Sequence, residues 1–363
     1  MKWGTLGVAC LAMLMLALDL TVLHLAVPKL TAELAPTSTQ LLWIVDAYGF
    51  ALAGLLVTMG NIGDRIGRKK LLLVGAATFG VASVITAYAP TAELLIAARA
   101  LLGVAGATIM PSTLSLVRNV FTDPKERTAA IGLWNGVAIA GFGLGPLIGG
   151  ALLDHFWWGS VFLINVPVVL LILVAGGIVL PESRNPSPGR LDWLSVPLSI
   201  VGVVAVVYAI KQAAHNGFTA EVLISLAVGV VTIIVFIRRQ TRLPEPLIDV
   251  RLFRRGPFSL TVGAALAAMF AQLAISLVLA QYLQLVLGWS PLLAGVAGLP
   301  AIVAAVAGAL MSPAAINVLG RAATMTAGLV LSAIGMVLYG LLGLRPTYGY
   351  LLVTMLIFGL AWR

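Results

Sequence analysis

One cysteine, three histidines and 10% charged residues are all that 363 positions offer to several common kinds of chemistry. Cys10 has no second cysteine to pair with, so an internal disulfide and a cysteine-rich metal site are both excluded. His24, His155 and His215 lie far apart, without the short spacing of metal ligands. Neither a Ser-His-Asp arrangement nor a phosphate-cradling glycine loop is present. These absences leave an enzyme without a reactive constellation, so neither catalysis, nor a metal, nor a cofactor is expected. The scarcity of charge is matched by 61% hydrophobic residues and a mean hydropathy of +1.08. A water-soluble domain has too little interior to hide that much apolar surface, so the bilayer is the expected solvent and the expected fold an all-α membrane protein.

A spanning helix needs about 20 apolar residues. Such runs occur near 5–27, 42–60, 71–89, 94–116, 129–152, 161–180, 194–211, 222–237, 258–280, 291–312 and 322–343, and a twelfth begins at Tyr348. The run from Thr5 to Val27 exceeds a signal-peptide core and is read as a retained helix. From Tyr348 the chain has only 16 residues, roughly 24 Å of helix against a hydrocarbon core of ~30 Å, so a truncated chain is expected.

The net charge of +9 fits cytoplasmic loops better than nucleic acid. With the N-terminus inside, the inner segments hold 17 Lys and Arg, including Arg65, Arg68, Lys69 and Lys70 and six arginines from Arg238 to Arg255. The outer segments hold three, Lys29, Lys211 and Arg345. That asymmetry predicts a multi-pass protein of a bacterial-type cytoplasmic membrane with a cytoplasmic N-terminus. The Pro-rich stretch Pro181 to Asp192 and the basic stretch Arg238 to Pro257 bracket a helix pair. The expected organisation is a six-helix bundle over 1–180, a linker and two-helix insert over 181–257, and an incomplete second bundle over 258–363. Asp64-Arg65-Ile66-Gly67-Arg68 is echoed by Asn317-Val318-Leu319-Gly320-Arg321, as parallel half-repeats would produce.

Two acids fall inside apolar runs. Asp19 lies deep in the first and Asp46 near the outer end of the second. Charge at membrane depth is costly, so an acid there is expected to line a cavity or a proton path. Shielding from water favours the protonated carboxyl and a nearby cation favours the charged one, so one acid can exchange a proton for a cationic substrate. Arg99, in the fourth run, needs a carboxylate or carbonyl partner. Trp43, Tyr48, Trp134, Phe142, Phe162, Tyr282 and Gln284 are candidates for a substrate pocket, since aromatic faces bind quaternary ammonium. Trp157, Trp158 and Trp289 read as interfacial anchors.

Three motifs are more specific. Gly60 to Leu71 reads G-N-I-G-D-R-I-G-R-K-K-L and carries Gly60, Asp64, Arg65, Gly67 and Arg68. It resembles the loop between helices 2 and 3 of the major facilitator superfamily, departing at Ile62-Gly63. Arg99 followed by Gly103 resembles that superfamily's fourth-helix motif, with Leu102 where Gln is frequent. G-F-G-L-G-P-L-I-G-G, with Gly141, Gly145, Pro146, Gly149 and Gly150, looks like its fifth-helix antiporter motif. Glycines so spaced leave a smooth helix face for close packing, and the proline bends it. The stretches 157–167, 246–253 and 282–300 resemble the 14-helix drug:proton antiporters, and the motifs around Asp19 and Asp46 look closest to quaternary-ammonium efflux pumps.

The resemblance implies a major-facilitator-type bundle with about 11–12 of 14 helices present. It also implies a proton-coupled antiporter that exports lipophilic cations, drugs or biocides by alternating access. The implied partners are protons, small amphipathic or cationic substrates and membrane lipids, with no nucleic acid, and the expected state is a monomer. Two alternatives stay open: an exporter of a metabolite such as a basic amino acid, peptide or lipid precursor, and a non-transporting truncated remnant.

Overall fold

The computed structural model describes residues 2–184, 192, 194–243, 246–289, 291–343 and 347–361. Every expected apolar run lies on a helix: α1 Lys2–Leu34, α2 Ser38–Ile66, α3 Arg68–Ala87, α4 Ala92–Val120, α5 Pro124–His155, α6 Ser160–Leu163, α7 Asn165–Val179, α8 Ser195–Asn216, α9 Ala220–Arg242, α10 Gly256–Gln281, α11 Pro291–Leu319, α12 Arg321–Gly340 and α13 Tyr348–Leu360. Among the described residues, ten helices are long and apolar enough to cross a membrane. The chain is an all-α, multi-pass membrane protein.

Several helices outrun their apolar runs because capping chemistry, which hydropathy does not register, sets their ends. Thr37 and Gln40 form a reciprocal box at the start of α2. Asp123 accepts from the N–H groups of Lys125 and Glu126, with Pro124 opening α5. The run near 161–180 divides into α6 and α7 because Pro167 has no N–H for the carbonyl of Leu163. Most of the Pro-rich linker, residues 185–191, lies outside the described residues.

By spatial contact the helices fall into two units that interleave along the chain. The first comprises residues 1–30, 117–161 and 259–363. Within it α1 and α5 run parallel, tied at one end by Lys2 to Glu126 at 3.0 Å and at the other by Lys29 Nζ to the carbonyl of Leu153. Helix α11 crosses the opposite side of α5, where Ile139, Ala305 and Ala309 are buried together. Leu283, Leu351 and Met355 make a second core beneath Tyr282 and Trp289.

The second unit comprises residues 31–116 and 162–258. Here α3 packs on α7, with Asn165 donating to Ser83 Oγ at 3.2 Å. Helices α8 and α9 meet at reciprocal glycines: a Cβ on Gly202 would lie 2.7 Å from Ile233, and one on Gly229 2.7 Å from Val206. The polar ends of this pair are closed by Arg239, which donates twice to Asp192 at 2.8 Å, while Gln240 donates to Ser195 Oγ at 2.6 Å.

Candidate functional site

In the first unit the site is built on α1 and α5. Asp19 is buried, 2% exposed, in the turn of α1 that also carries Leu18 and Thr21. Gly141, Gly145 and Gly149, one turn apart on α5, face that stretch of α1. A Cβ on Gly141 would lie 2.7 Å from Ala17, one on Gly145 would overlap Thr21, and one on Gly149 would lie 3.2 Å from Val22. Gly150 points to open space. Pro146 is inside α5. The helix has a second small-residue face that the motif does not announce. A Cβ on Gly132 would be 3.2 Å from the carbonyl of Ala309, Gly136 lies beside Val306, and Gly143 lies against Ile302, all on α11. α5 is therefore gripped from two sides by close packing that its small residues permit.

The aromatic candidates of this unit divide by surroundings. Trp134 is buried, and its indole N–H has no hydrogen-bond partner among the described groups. Phe142 is 40% exposed and Gln284 is exposed. Tyr282 packs on the Leu283, Leu351 and Met355 core and donates its hydroxyl to the carbonyl of Gly343. Trp158, an expected interfacial anchor, is instead only 3% exposed: it packs inside the protein, while its neighbour Trp157 stays exposed.

In the second unit three predicted residues come together. The Arg99 guanidinium is buried on α4, lies 4.7 Å over the Tyr48 ring and 5.8 Å from that of Phe162, and donates through Nε to the carbonyl of Ile44 at 3.3 Å. Ring faces and a carbonyl offset the cost of burying a cation away from water. One turn on, Gly103 rests against the Tyr48 carbonyl and the side chain of Ala51, so there is no room for a Cβ. The Arg-x-x-x-Gly pattern is thus one helix face seated on α2.

Asp46 and Trp43 form a separate cluster. Lys211 of α8 places its ammonium on both oxygens of Asp46. The Trp43 ring stacks on Tyr208 at 6.1 Å and meets Phe50 edge-on at 6.0 Å. Tyr208 donates to Glu221, in the first turn of α9, at 2.6 Å. Sequence reading missed Lys211, Tyr208 and Glu221. A lone lysine closing the apolar run of α8 is the signal that could have found Lys211.

At the opposite end of α2, Asp64 pairs with Arg68 across one turn of chain. Gly67 turns there with φ of 111°, a conformation that a side chain resists, and its Cα faces the Glu182 carboxylate. Glu182 also accepts from the Lys69 N–H at 3.2 Å, the Ser183 carbonyl accepts from the Arg68 N–H at 2.9 Å, and Lys69 Nζ donates to the Gly177 carbonyl at 2.7 Å. The basic loop is therefore clamped to the end of α7. Gly60 packs near Pro111 of α4, and Arg65 is half-buried.

The model of the Major Facilitator Superfamily matches residues 9–362. The chain belongs to the major facilitator superfamily. Among facilitators it is 47% identical over 334 residues to the multidrug efflux pump LfrA of Mycolicibacterium smegmatis, covering 92% of this chain and 66% of that protein. It is 39% identical over 341 residues to the methyl viologen resistance protein SmvA of Salmonella typhimurium, covering 94% and 68%. It is 34% identical over 346 residues to the probable actinorhodin transporter of Streptomyces coelicolor, covering 93% and 60%. This facilitator spans about two thirds of the length of these relatives.

Proposed function

We propose that the chain acts as a drug exporter that couples outward movement of lipophilic cations to inward movement of protons. The carrying observation is a buried carboxylate, Asp19, on the helix that packs along the α5 glycine row. The 47% identity to a multidrug efflux pump supports drug export. Asp19 binds a cation in one state and a proton in the other, so each ligand displaces its competitor. Glycine packing lets α5 shift against α1 with little steric barrier as the site changes sides. Arg99, stacked on Tyr48 and Phe162, holds α2 and α4 together within the second unit. The clamp of Asp64, Arg68 and Glu182 braces the cytoplasmic end. Within the first unit, Trp134 and Phe142 line the substrate path. The protein works as a monomer in a bacterial-type cytoplasmic membrane, its N-terminus inside, and the sequential division at 180 and 257 marks two bundles and an insert.

The test is efflux of ethidium from cells or vesicles with an imposed pH gradient. Asp19→Asn mimics the protonated form and is expected to abolish gradient-driven export while the protein still folds and inserts. Asp64→Asn is expected to slow export without removing it. Wild-type export by Asp19→Asn overturns the coupling role. A second reading, export of an endogenous metabolite, is favoured by the 34% identity to a probable actinorhodin transporter. Under that reading an endogenous metabolite, and not ethidium, drives turnover.

A further inference from the structure

The cluster joining α2, α8 and α9 has the composition of a cation site with its own cation already in place. On α2, Trp43, Asp46, Phe50 and Gly54 recur at three- and four-residue steps and so share one face. That face meets α8, which runs antiparallel: a Cβ on Gly54 would lie 2.8 Å from Ile200, while Trp43 stacks on Tyr208 further along. Beside the stack is a groove of about 300 Å³ lined by Trp43, Tyr208 and aliphatic side chains of α8. Asp46 and Lys211 line a separate, smaller recess of about 20 Å³ that shares the same two rings, so a bound cation reaches the carboxylate once the ammonium has left. An aromatic wall, an apolar groove and a carboxylate are what an amphipathic quaternary cation requires.

We infer that Lys211 is a tethered, displaceable counter-ion for Asp46, and that small amphipathic cations capture Asp46 at this cluster by expelling it. The inference rests on the cation-export reading. Three observations carry it. The Asp46 side chain is 15% exposed and that of Lys211 42%, so the lysine is the partner with a route out. Its four-carbon stem lets the ammonium swing into water while the carboxylate stays on the helix. The cluster holds Asp46 and Glu221 against Lys211, a net charge of minus one, so a monovalent cation that replaces the lysine preserves the local balance while the freed ammonium repels a second positive charge. Lys211 therefore sets which cation charge the site accepts.

The test measures binding of tetraphenylphosphonium, a monocation, and methyl viologen, a dication, to the protein in nanodiscs of phosphatidylglycerol and phosphatidylethanolamine, which supply no competing quaternary ammonium headgroup. Removing the resident ion by Lys211→Gln is expected to tighten tetraphenylphosphonium about fivefold, the fold-change that matches the ~1 kcal/mol of a partly exposed ion pair, and to tighten methyl viologen more. Lys211→Arg keeps wild-type selectivity. Asp46→Asn weakens both probes, and in that background Lys211→Gln tightens neither. Glu221→Gln leaves the Asp46–Lys211 pair in place and lowers methyl viologen binding selectively, which keeps the inference testable if the lysine variant does not fold. Unchanged affinities in a folded Lys211→Gln protein, or equal tightening with and without Asp46, overturn it. A wild-type protein that exports cations while Lys211→Gln leaves their affinity ratio unchanged refutes the counter-ion role alone. A wild-type protein that neither binds nor moves any cation refutes the export reading with it.

Discussion

Gly145→Val tests the packing of α5 on α1 most sharply, because the same motif contains its own control. The Cβ of any residue at 145 would overlap Thr21 Oγ1 and lie 2.9 Å from Thr21 Cβ. Thr21 cannot turn aside without cost, since its hydroxyl donates to the carbonyls of Leu18 at 3.1 Å and Ala17 at 3.3 Å. Rotation would lose those bonds and leave its Cβ in the way, so α1 itself must move. Overpacking of a close contact costs about 1–3 kcal/mol, and valine adds two further methyl groups to the clash. A cost of ~2 kcal/mol raises the population of loosened α1 roughly 30-fold. Gly150 has nothing within 4 Å of its would-be Cβ, so Gly150→Ala is expected to be neutral or to stabilise the helix by up to ~1 kcal/mol. The protein supplies its own probe, for its single cysteine, Cys10, is buried on α1. Maleimide labelling of Cys10 in detergent reads the opening equilibrium when reclosing is fast. Labelling should quicken on the order of 30-fold in Gly145→Val, with a lower melting temperature and stalled efflux at matched expression. Wild-type labelling and efflux in Gly145→Val, or equal damage from Gly150→Ala, would show that the glycine row is not a packing surface.

Two further outcomes concern the second unit. Arg99→Lys keeps the charge but gives up the planar stack over Tyr48 and Phe162, and a loss of about 1–2 kcal/mol in thermal unfolding is expected; an unchanged melting temperature would mean that the rings do not hold the cation. The Asp192 carboxyl is held down at about 2, first by its hydrogen bonds from Arg239 and, against the opposing effect of burial, by Ser195 as well. Because that lies below the ~3.9 of a free aspartate, the stabilisation is complete above about pH 4 and is lost as pH falls through 2. Melting temperature followed from pH 5 towards 2 should therefore drop more in the wild type than in Arg239→Gln, and parallel curves would refute the assignment.

Much of this protein is legible in its residues because membrane helices are local objects. A run of about 20 apolar residues must satisfy its own backbone hydrogen bonds, so composition alone predicts a helix at each of the twelve runs. The same holds for Asp64 and Arg68, one turn apart, and for Arg99 and Gly103, whose spacing already puts them on one face. Capping moved the helix ends, as at Thr37 and Asp123, for reasons readable from the sequence but invisible to hydropathy. Which face meets which neighbour is another matter. In a helix apolar on all sides the hydrophobic pattern has no direction, so nothing in the runs themselves says that Gly145 meets Thr21 while Gly143 meets Ile302. Nor does charge counting along the chain show that Lys211 reaches Asp46, 165 residues earlier, or that Glu182 closes over Gly67. Residue patterns alone specify the helices, the basic loop, the family motifs and the acids that have no cheap place in a bilayer. Tertiary structure alone decided their partners, because a charge buried in a low-dielectric setting must be matched by whatever group the packing of distant helices brings within a few ångströms.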